Sequence, residues 1–593
     1  MCFAFAFLTL QLWRLQIVEG VVHRAAADDN SLRPVTIPAL RGVIYDRNLT
    51  PLAVNAPMFA VTITEADVPV ARRSQIVRQT AAVLGIAPEE IEQALKFKTR
   101  GEQPFAPVTI KENVPREVAL ALEERSWQLP GVSVRVGTIR QYTDGPTFAH
   151  VLGYMALPRP EEYTHRYKLE GYDPSERVGT TGVEQVYESE LHGRPGGRVV
   201  EVDVAGRPVR QLDEQPPESG RRLVLSLDGE LQRTAYEALN SRLETIGSGV
   251  AVVMDPRNGE VLSLVSVPSY DDNVFALPNQ DAEISGLLAD PKLPLFDRAL
   301  AGQYPPGSTF KLVTGIGALE EGVANRNTRI DCNGGLRIPN PYNPSLSTFL
   351  PDWGIMGVLD FVQGLAQSCN VYFYTLGGGF GPIDGLKVER LGRYARMVGY
   401  GQPTGIDLPS EAIGRVPSPA WKQAALGDEW VPGDTYHMSI GQGAVLATPV
   451  QVASLTNALA TGGTFYRPHV VRSIVDSDGR VVREVGAEIT RKVALKPETL
   501  AAMKDGMMAV METPQARPYN NLGIRVAGKT GTAEYAAPKD GSAIGPTHGW
   551  FTAYAPAEDP RVSVTVFVEH GGGPTDALPL AIDIMRAYFA RYP

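Results

Sequence analysis

Cysteine is nearly absent from this 593-residue chain: Cys2, Cys332 and Cys369 are the only three. That count excludes a disulfide-built scaffold and repeated zinc modules. Histidine is scarce too, at eight residues. Basic residues are not in surplus, since 56 Lys and Arg face 66 Asp and Glu for a net charge of −10. A nucleic-acid partner is therefore a poor expectation. The apolar stretch at the start is short: Cys2–Trp13 reads CFAFAFLTLQLW before Arg14, where a bilayer span needs roughly 20 residues. No basic segment leads it and no small-residue cleavage site follows, so a secretory signal peptide fits poorly. We read residues 1–19 as the outer part of a membrane anchor that starts upstream, with Trp13 and Arg14 at the membrane surface. A short buried helix is the bland alternative.

What is present is enough apolar bulk for real cores. Hydrophobic residues make up 43% and charged ones 21%, which excludes a disordered or fibrous chain. Gly (59) and Pro (47) imply many turns without low complexity. Residues 15–35 read as a polar, helix-prone stalk. Apolar spacings of three and four predict helices around 71–84 and 115–127. Residues 132–154 read as strand, and 178–184 leads into a helix ending near Leu191. The polar, Pro-containing stretch 212–222 is the main boundary. Beyond it lie a strand at 223–227, an amphipathic helix over 229–246 and a hairpin around Asn258-Gly259. Strands at 549–555 and 562–569 and a helix at 578–590 end the chain. The second region, 223–593, reads as an α/β domain whose antiparallel sheet is flanked by its first and last helices.

Three local signals carry chemistry. In Tyr304-Pro305-Pro306-Gly307-Ser308-Thr309-Phe310-Lys311, a turn opens an apolar helix that stops at Gly322. Ser308 stands at its start, with Lys311 one turn on along the same face. That suits a hydroxyl nucleophile beside an amine, provided the amine is neutral. Alone, the spacing more often marks an N-cap serine and a solvated lysine. The second signal, Ser368-Cys369-Asn370, follows a stretch read as helical, Val358–Ala366, and places a hydroxyl and an amide two residues apart on a loop. The third, Lys529-Thr530-Gly531-Thr532, reads as a strand edge whose glycine lets a substrate approach the backbone. A Ser-His-Asp enzyme is disfavoured, because Pro306 and Phe310 stand where G-x-S-x-G needs glycines.

In this order the three signals resemble the penicillin-recognising active-site serine enzymes. With the flanking text the chain is similar to class B penicillin-binding proteins, closest to the elongation kind, penicillin-binding protein 2. The flanking text is Arg41-Gly42 with Asp46-Arg47-Asn48, then Gly182-Val183-Glu184 with Tyr187, Met254-Asp255-Pro256 with Gly259-Glu260, and Gly441-Gln442-Gly443 with Thr448-Pro449. The resemblance implies an elongated mixed α+β pedestal over 20–222, with a head at about 66–130, before a transpeptidase domain over 223–593. It implies a D,D-transpeptidase that cross-links peptidoglycan stem peptides outside the cytoplasm from a single N-terminal span. Ser308 is then the nucleophile that β-lactams acylate, Lys311 its base, and Ser368 the proton relay. Asn370 holds the donor amide, while Lys529, Thr530, Gly531 and Thr532 meet its carboxylate. Lys529 helps to keep Lys311 neutral, and the N–H groups of Ser308 and Thr532 form the oxyanion hole. A SEDS-type membrane glycan polymerase and elongation scaffold proteins are the implied partners.

A division-type relative, a β-lactamase or penicillin sensor, and an inactive scaffold are the rivals. No organic cofactor enters this chemistry. The resemblance does raise zinc, which some elongation-type members hold near Ser368-Cys369-Asn370 through Asp, Cys and His. This chain has no histidine between Gly322 and Cys369, and Met356 lies where one would be sought. Cys332, Asp352 and Cys369 are the candidate ligands, with Asp331 a doubtful fourth. A Cys332–Cys369 disulfide and two separate buried thiols are the alternatives.

Overall fold

The computed structural model describes residues 2–18, 32–98, 107–202, 208–340, 343–536 and 545–593. In the N-terminal region the strand Pro51–Ile63 is the organising element. It pairs antiparallel with Val132–Tyr142 from Ala53↔Tyr142 to Ile63↔Val132, and towards its end with Val108–Val114. The helices Arg73–Leu84, Pro88–Lys98 and Arg116–Glu124 close over a core of their own that includes Ile63, Ile76, Leu84, Ile91, Leu95 and Leu122. Two expectations change here. The strand-like stretch 132–154 ends at Tyr142, and Gly145–Leu152 is a helix. Pro146 preorganises its first turn, the Thr147 hydroxyl donates to Asp144 at 2.9 Å, and Phe148, Val151 and Leu152 are buried at helical spacing. Of the supposed stalk, 19–31 lies outside the described residues, while Leu32–Ile37 is a strand paired with Gly196–Val202. Cys2–Trp13 is a helix with Phe5, Phe7, Leu8, Leu10 and Leu12 exposed. Among the described residues, no helix is long and apolar enough to cross a membrane.

A buried charge network locks this region together. Arg41 donates through Nε to Glu184 at 2.7 Å and through Nη2 to Glu188 at 2.6 Å; Arg140 Nε reaches the other Glu184 oxygen at 2.7 Å. Burial works against the Glu184 carboxylate, but Arg140 and Arg41 outweigh it and hold its pKa below the usual value. Removing one partner strands the other charges in a dry interior. Glu184→Gln is therefore expected to lower stability by about 3–5 kcal/mol. A urea midpoint shift at constant m value checks it; a shift worth under about 1 kcal/mol would contradict it.

The strand Arg222–Leu225 joins the two regions. It pairs parallel with Ile44–Tyr45 on one side and antiparallel with Val471–Val475 on the other. Beyond it, α1 (Gly229–Asn240) leads into five strands: β1 (Gly249–Met254), β2 (Val261–Val267), β3 (Ala527–Glu534), β4 (Thr547–Ala555) and β5 (Val562–Val568). They pair antiparallel in the order β2-β1-β5-β4-β3. Every residue of β1, β2 and β5 is buried. Their Val-rich text lacks alternation because both faces are covered. The helix Pro449–Ala460 packs on one face, and α1 with the last helix packs on the other. Helices α2 (Lys311–Glu320), α3 (Asn370–Gly378) and α4 (Pro432–Ser439) stack beside one another, and α5 (Leu578–Arg591) is that last helix. β3 is the edge of the sheet, which leaves one side of its backbone open to a cleft.

Candidate active site

The nucleophile motif lies on a turn pressed against β3. Gly307–Phe310 is a short 3₁₀ segment that runs directly into α2. Gly307 has φ of +52°, and a Cβ there would sit 2.8 Å from the Thr532 carbonyl oxygen. A Cβ on Gly531 would meet Thr309 Cγ2 at 3.0 Å and the Pro306 oxygen at 3.1 Å. Both glycines let the turn carrying Ser308 approach the edge strand. Gly531 thus has a packing reason, where the sequence reading assigned it to substrate approach alone. Trp550 Nε1 donates to the Pro305 oxygen at 3.0 Å and fixes the same turn from β4. No spacing in the sequence pointed to Trp550.

Two lysines converge on Ser368. Lys311 and Lys529 are both fully buried. Lys311 Nζ donates to the Ser368 carbonyl oxygen at 2.6 Å and to Asn370 Oδ1 at 2.7 Å, and lies 3.3 Å from Ser368 Oγ. Lys529 Nζ donates to Ser368 Oγ at 2.9 Å and to the Thr530 oxygen at 2.8 Å. Ser368 is held at φ of +55°, in the left-handed region that a serine seldom occupies. Burial pulls Lys311 down to about 7, against the raising effect of the Asp352 carboxylate. Burial, then the Lys311 charge, pulls Lys529 well below its usual value. Burial is the first cause of the low pKa of Lys311, and the two buried ammonium groups disfavour one another. A neutral Lys311 spends its two N–H bonds on the two carbonyl oxygens, which leaves its lone pair for a hydroxyl proton.

The structure brings Lys311, Ser368, Asn370 and Lys529 into one hydrogen-bonded set, with the Ser308 turn and the Thr530–Thr532 edge beside it. Ser308 Oγ and Asn370 Nδ2 have no protein partner among the described residues. Thr532 Oγ1 accepts from the Gly573 N–H at 3.3 Å. Gly307 N donates to the Gly441 oxygen at 3.0 Å. The Gln442 amide, oriented so that its nitrogen donates, spans the Glu534 backbone at 3.0 and 3.3 Å.

Cys332 and Cys369 form a disulfide; the other two sequence alternatives, a zinc site and separate thiols, do not describe this arrangement. Cys332, Asp352 and Cys369 do cluster, within 4.8 Å of one another. The donor set nevertheless does not fit zinc, because a disulfide offers no thiolate. Asp352 is engaged as well: its oxygens accept from the N–H groups of Asn370 and Val371, each at 3.0 Å. It caps α3, and so orients Asn370, from the long hairpin Ile330–Asn340/Asn343–Leu359. The strand Asn343–Leu359 replaces the start of the helix expected at Val358–Ala366. Asp360 and Gln363 form a capping box, so the helix covers only Phe361–Ala366.

The description Penicillin binding protein transpeptidase domain matches residues 249–586, more than half of the chain. The chain belongs to this family. Penicillin-binding Protein dimerisation domain matches residues 36–225. Among curated relatives of this penicillin-binding protein, the peptidoglycan D,D-transpeptidase MrdA of Acinetobacter baumannii is 33% identical over 579 residues, covering 96% of this chain and 83% of the relative. The solved complex between Penicillin-Binding Protein (PBP2) and MreC from Helicobacter pylori matches with a TM-score of 0.78 at 27% identity, over 95% of this chain and 99% of that one. A solved structure on the coordination of polymerization and crosslinking by a peptidoglycan synthase complex matches with a TM-score of 0.74 at 31% identity, over 99% and 97%.

Proposed function

We infer that this penicillin-binding protein is a peptidoglycan D,D-transpeptidase of the elongation kind. The observation that carries the mechanism is the pair of buried lysines meeting at Ser368 beside the Ser308 turn. Ser308 Oγ attacks the carbonyl carbon of the penultimate D-alanine of a donor stem peptide, and neutral Lys311 takes the hydroxyl proton. Developing negative charge on the oxygen meets the backbone N–H groups of Ser308 and Thr532. The C–N bond breaks, and the terminal D-alanine leaves with a proton passed through Ser368. Asn370 Nδ2, without a protein partner among the described residues, binds the donor amide. Lys529 and the edge Thr530-Gly531-Thr532 bind its carboxylate. An acceptor amine then attacks the ester: a C–N bond forms, the C–O bond to Ser308 breaks, and the amine proton returns through the same relay. β-Lactams enter as donor mimics.

The test is intact-mass measurement after penicillin. One acyl adduct on a peptide containing Ser308, released over a time much longer than seconds, is the expected result. Release within seconds would make the protein a β-lactamase, and an adduct elsewhere would overturn the assignment.

The catalytic domain faces the extracytoplasmic side, a reading supported by the disulfide. The exposed apolar helix Cys2–Trp13 supports attachment to the membrane. The N-terminal region docks a SEDS-type glycan polymerase and elongation scaffold proteins, a reading supported by the partnered assemblies of the two structural relatives. Its head carries a core separate from that of the catalytic domain. Deleting residues 66–130 is expected to preserve penicillin acylation and to abolish co-purification with the polymerase; retained co-purification would place the docking elsewhere.

A further inference from the structure

A second cavity backs onto the active site. Its volume is about 640 Å³, and its walls include Arg415, Trp421, Lys422, Trp430, His437 and Gly443. The loop 441–444 is the partition between the two. On one side the Gly441 oxygen accepts from Gly307 N, next to Ser308, and Gln442 spans the Glu534 backbone on β3. On the other side Gly443 and Ala444 line the cavity.

The charges in this cavity are unevenly matched. Lys422 is spent on Asp434, with Nζ at 2.7 Å from its carboxylate. Arg415 is not paired in this way. Its Nε donates to the Ala444 carbonyl oxygen at 2.7 Å and its guanidinium stacks over Trp421 at 4.6 Å. No carboxylate among the described residues forms an ion pair with it. Burial lowers its pKa and no acid raises it. Burial likewise lowers His437, which favours a neutral ring. Trp430 Nε1 is satisfied by Thr435 Oγ1 at 2.8 Å, which holds its ring in the wall. The cavity therefore offers one guanidinium, stacked on Trp421 and without an ion-pair partner among the described residues, in a wall that also carries Trp430.

Transpeptidation needs two peptides. The donor lies along β3 with its carboxylate towards Lys529 and Thr530, so the acceptor amine must arrive from a place the donor does not fill. We propose that this cavity receives the acceptor stem peptide, with a carboxylate of that peptide on Arg415 and its aliphatic side chain between Trp421 and Trp430. The inference rests on the transpeptidase reading above. The guanidinium gives a bidentate match to a carboxylate, and the indoles supply apolar area with fixed shape. Holding the acceptor next to the partition raises the local concentration of its amine at the Ser308 ester, so the acyl group is transferred and not lost to water.

The experiment measures how the acyl-enzyme divides between hydrolysis and aminolysis. A depsipeptide donor ending in D-Ala-D-lactate forms the ester, and a stem pentapeptide with a free side-chain amine is the acceptor probe. Arg415→Met and Trp421→Ala are expected to lower the aminolysis-to-hydrolysis ratio about tenfold or more at limiting acceptor. Arg415→Lys should restore part of it. Because the first two variants also remove packing, a third fills the cavity without removing anything: Ala425→Trp, from an exposed lining position. It should lower the ratio while the donor still acylates the enzyme. An unchanged ratio in Ala425→Trp, in protein that acylates normally, would overturn the proposal. Absence of any acyl-enzyme in the unaltered protein would instead overturn the transpeptidase reading itself.

Discussion

Ser308→Ala loses covalent labelling by fluorescent penicillin completely, and its transpeptidation falls at least about 10⁴-fold. No neighbouring hydroxyl replaces it. Ser368 Oγ already accepts from Lys529 at 2.9 Å and is held on its own strained loop, whereas the Ser308 turn alone is pinned against the open edge of β3. The fold should barely notice the change. Ser308 Oγ makes no protein hydrogen bond among the described residues, and the turn is held by Gly307, Trp550 and Gly441. Less than about 1 kcal/mol is at stake, a thermal shift of no more than a few degrees. Persistent labelling of this variant would remove Ser308 from the mechanism.

The acylation rate of the unaltered protein should fall as pH drops through about 7. The sign follows from the protonation state: Lys311 acts as a base only when neutral, its pKa is lowered to about 7 by burial, and the ammonium form accumulates below that value. Lys311→Met should lower acylation by about 10²–10⁴-fold and flatten this limb. Lys529→Met tests which lysine sets the limb. Because burial is the first cause that lowers Lys311, the limb should remain near pH 7 while the apparent affinity for a carboxylate-bearing donor drops. Stopped-flow acylation across pH 5–9 checks both variants. A limb that moves well above 7 in Lys529→Met would show that the second lysine keeps the first neutral, as the family resemblance implied.

The legible parts were local. Ser308 and Lys311 lie one turn apart, so helical periodicity placed them together without any fold. The hairpin around Asn258-Gly259 was visible because its turn chemistry and its apolar runs are contiguous. The helix Gly145–Leu152 was missed although Thr143-Asp144-Gly145-Pro146 interrupts the apolar text after Tyr142; Asp144 and Pro146 are the local signals that mark its start. The helix expected at Val358–Ala366 starts three residues later, at Phe361. Val358 and Leu359 belong to a strand whose partner, Ile330–Asn340, lies in a stretch that carries no strand signal by itself.

By its own text the sequence determined the order of the three motifs, the Val-rich strands that need two covered faces, and the scarcity of metal ligands. Those are properties of neighbours along the chain. The tertiary structure alone decided the rest. It set Lys529 on Ser368 across a separation of 161 residues, joined Cys332 to Cys369 across 37, and laid Asp352 on the N–H groups that start α3. It also decided that Gly307 and Gly531 let the Ser308 turn press against β3, and that the Trp421 cavity backs onto the active site. The physical reason is common to all of these. Burial, pKa and close approach depend on what surrounds an atom in space, and residues far apart in sequence supply those surroundings.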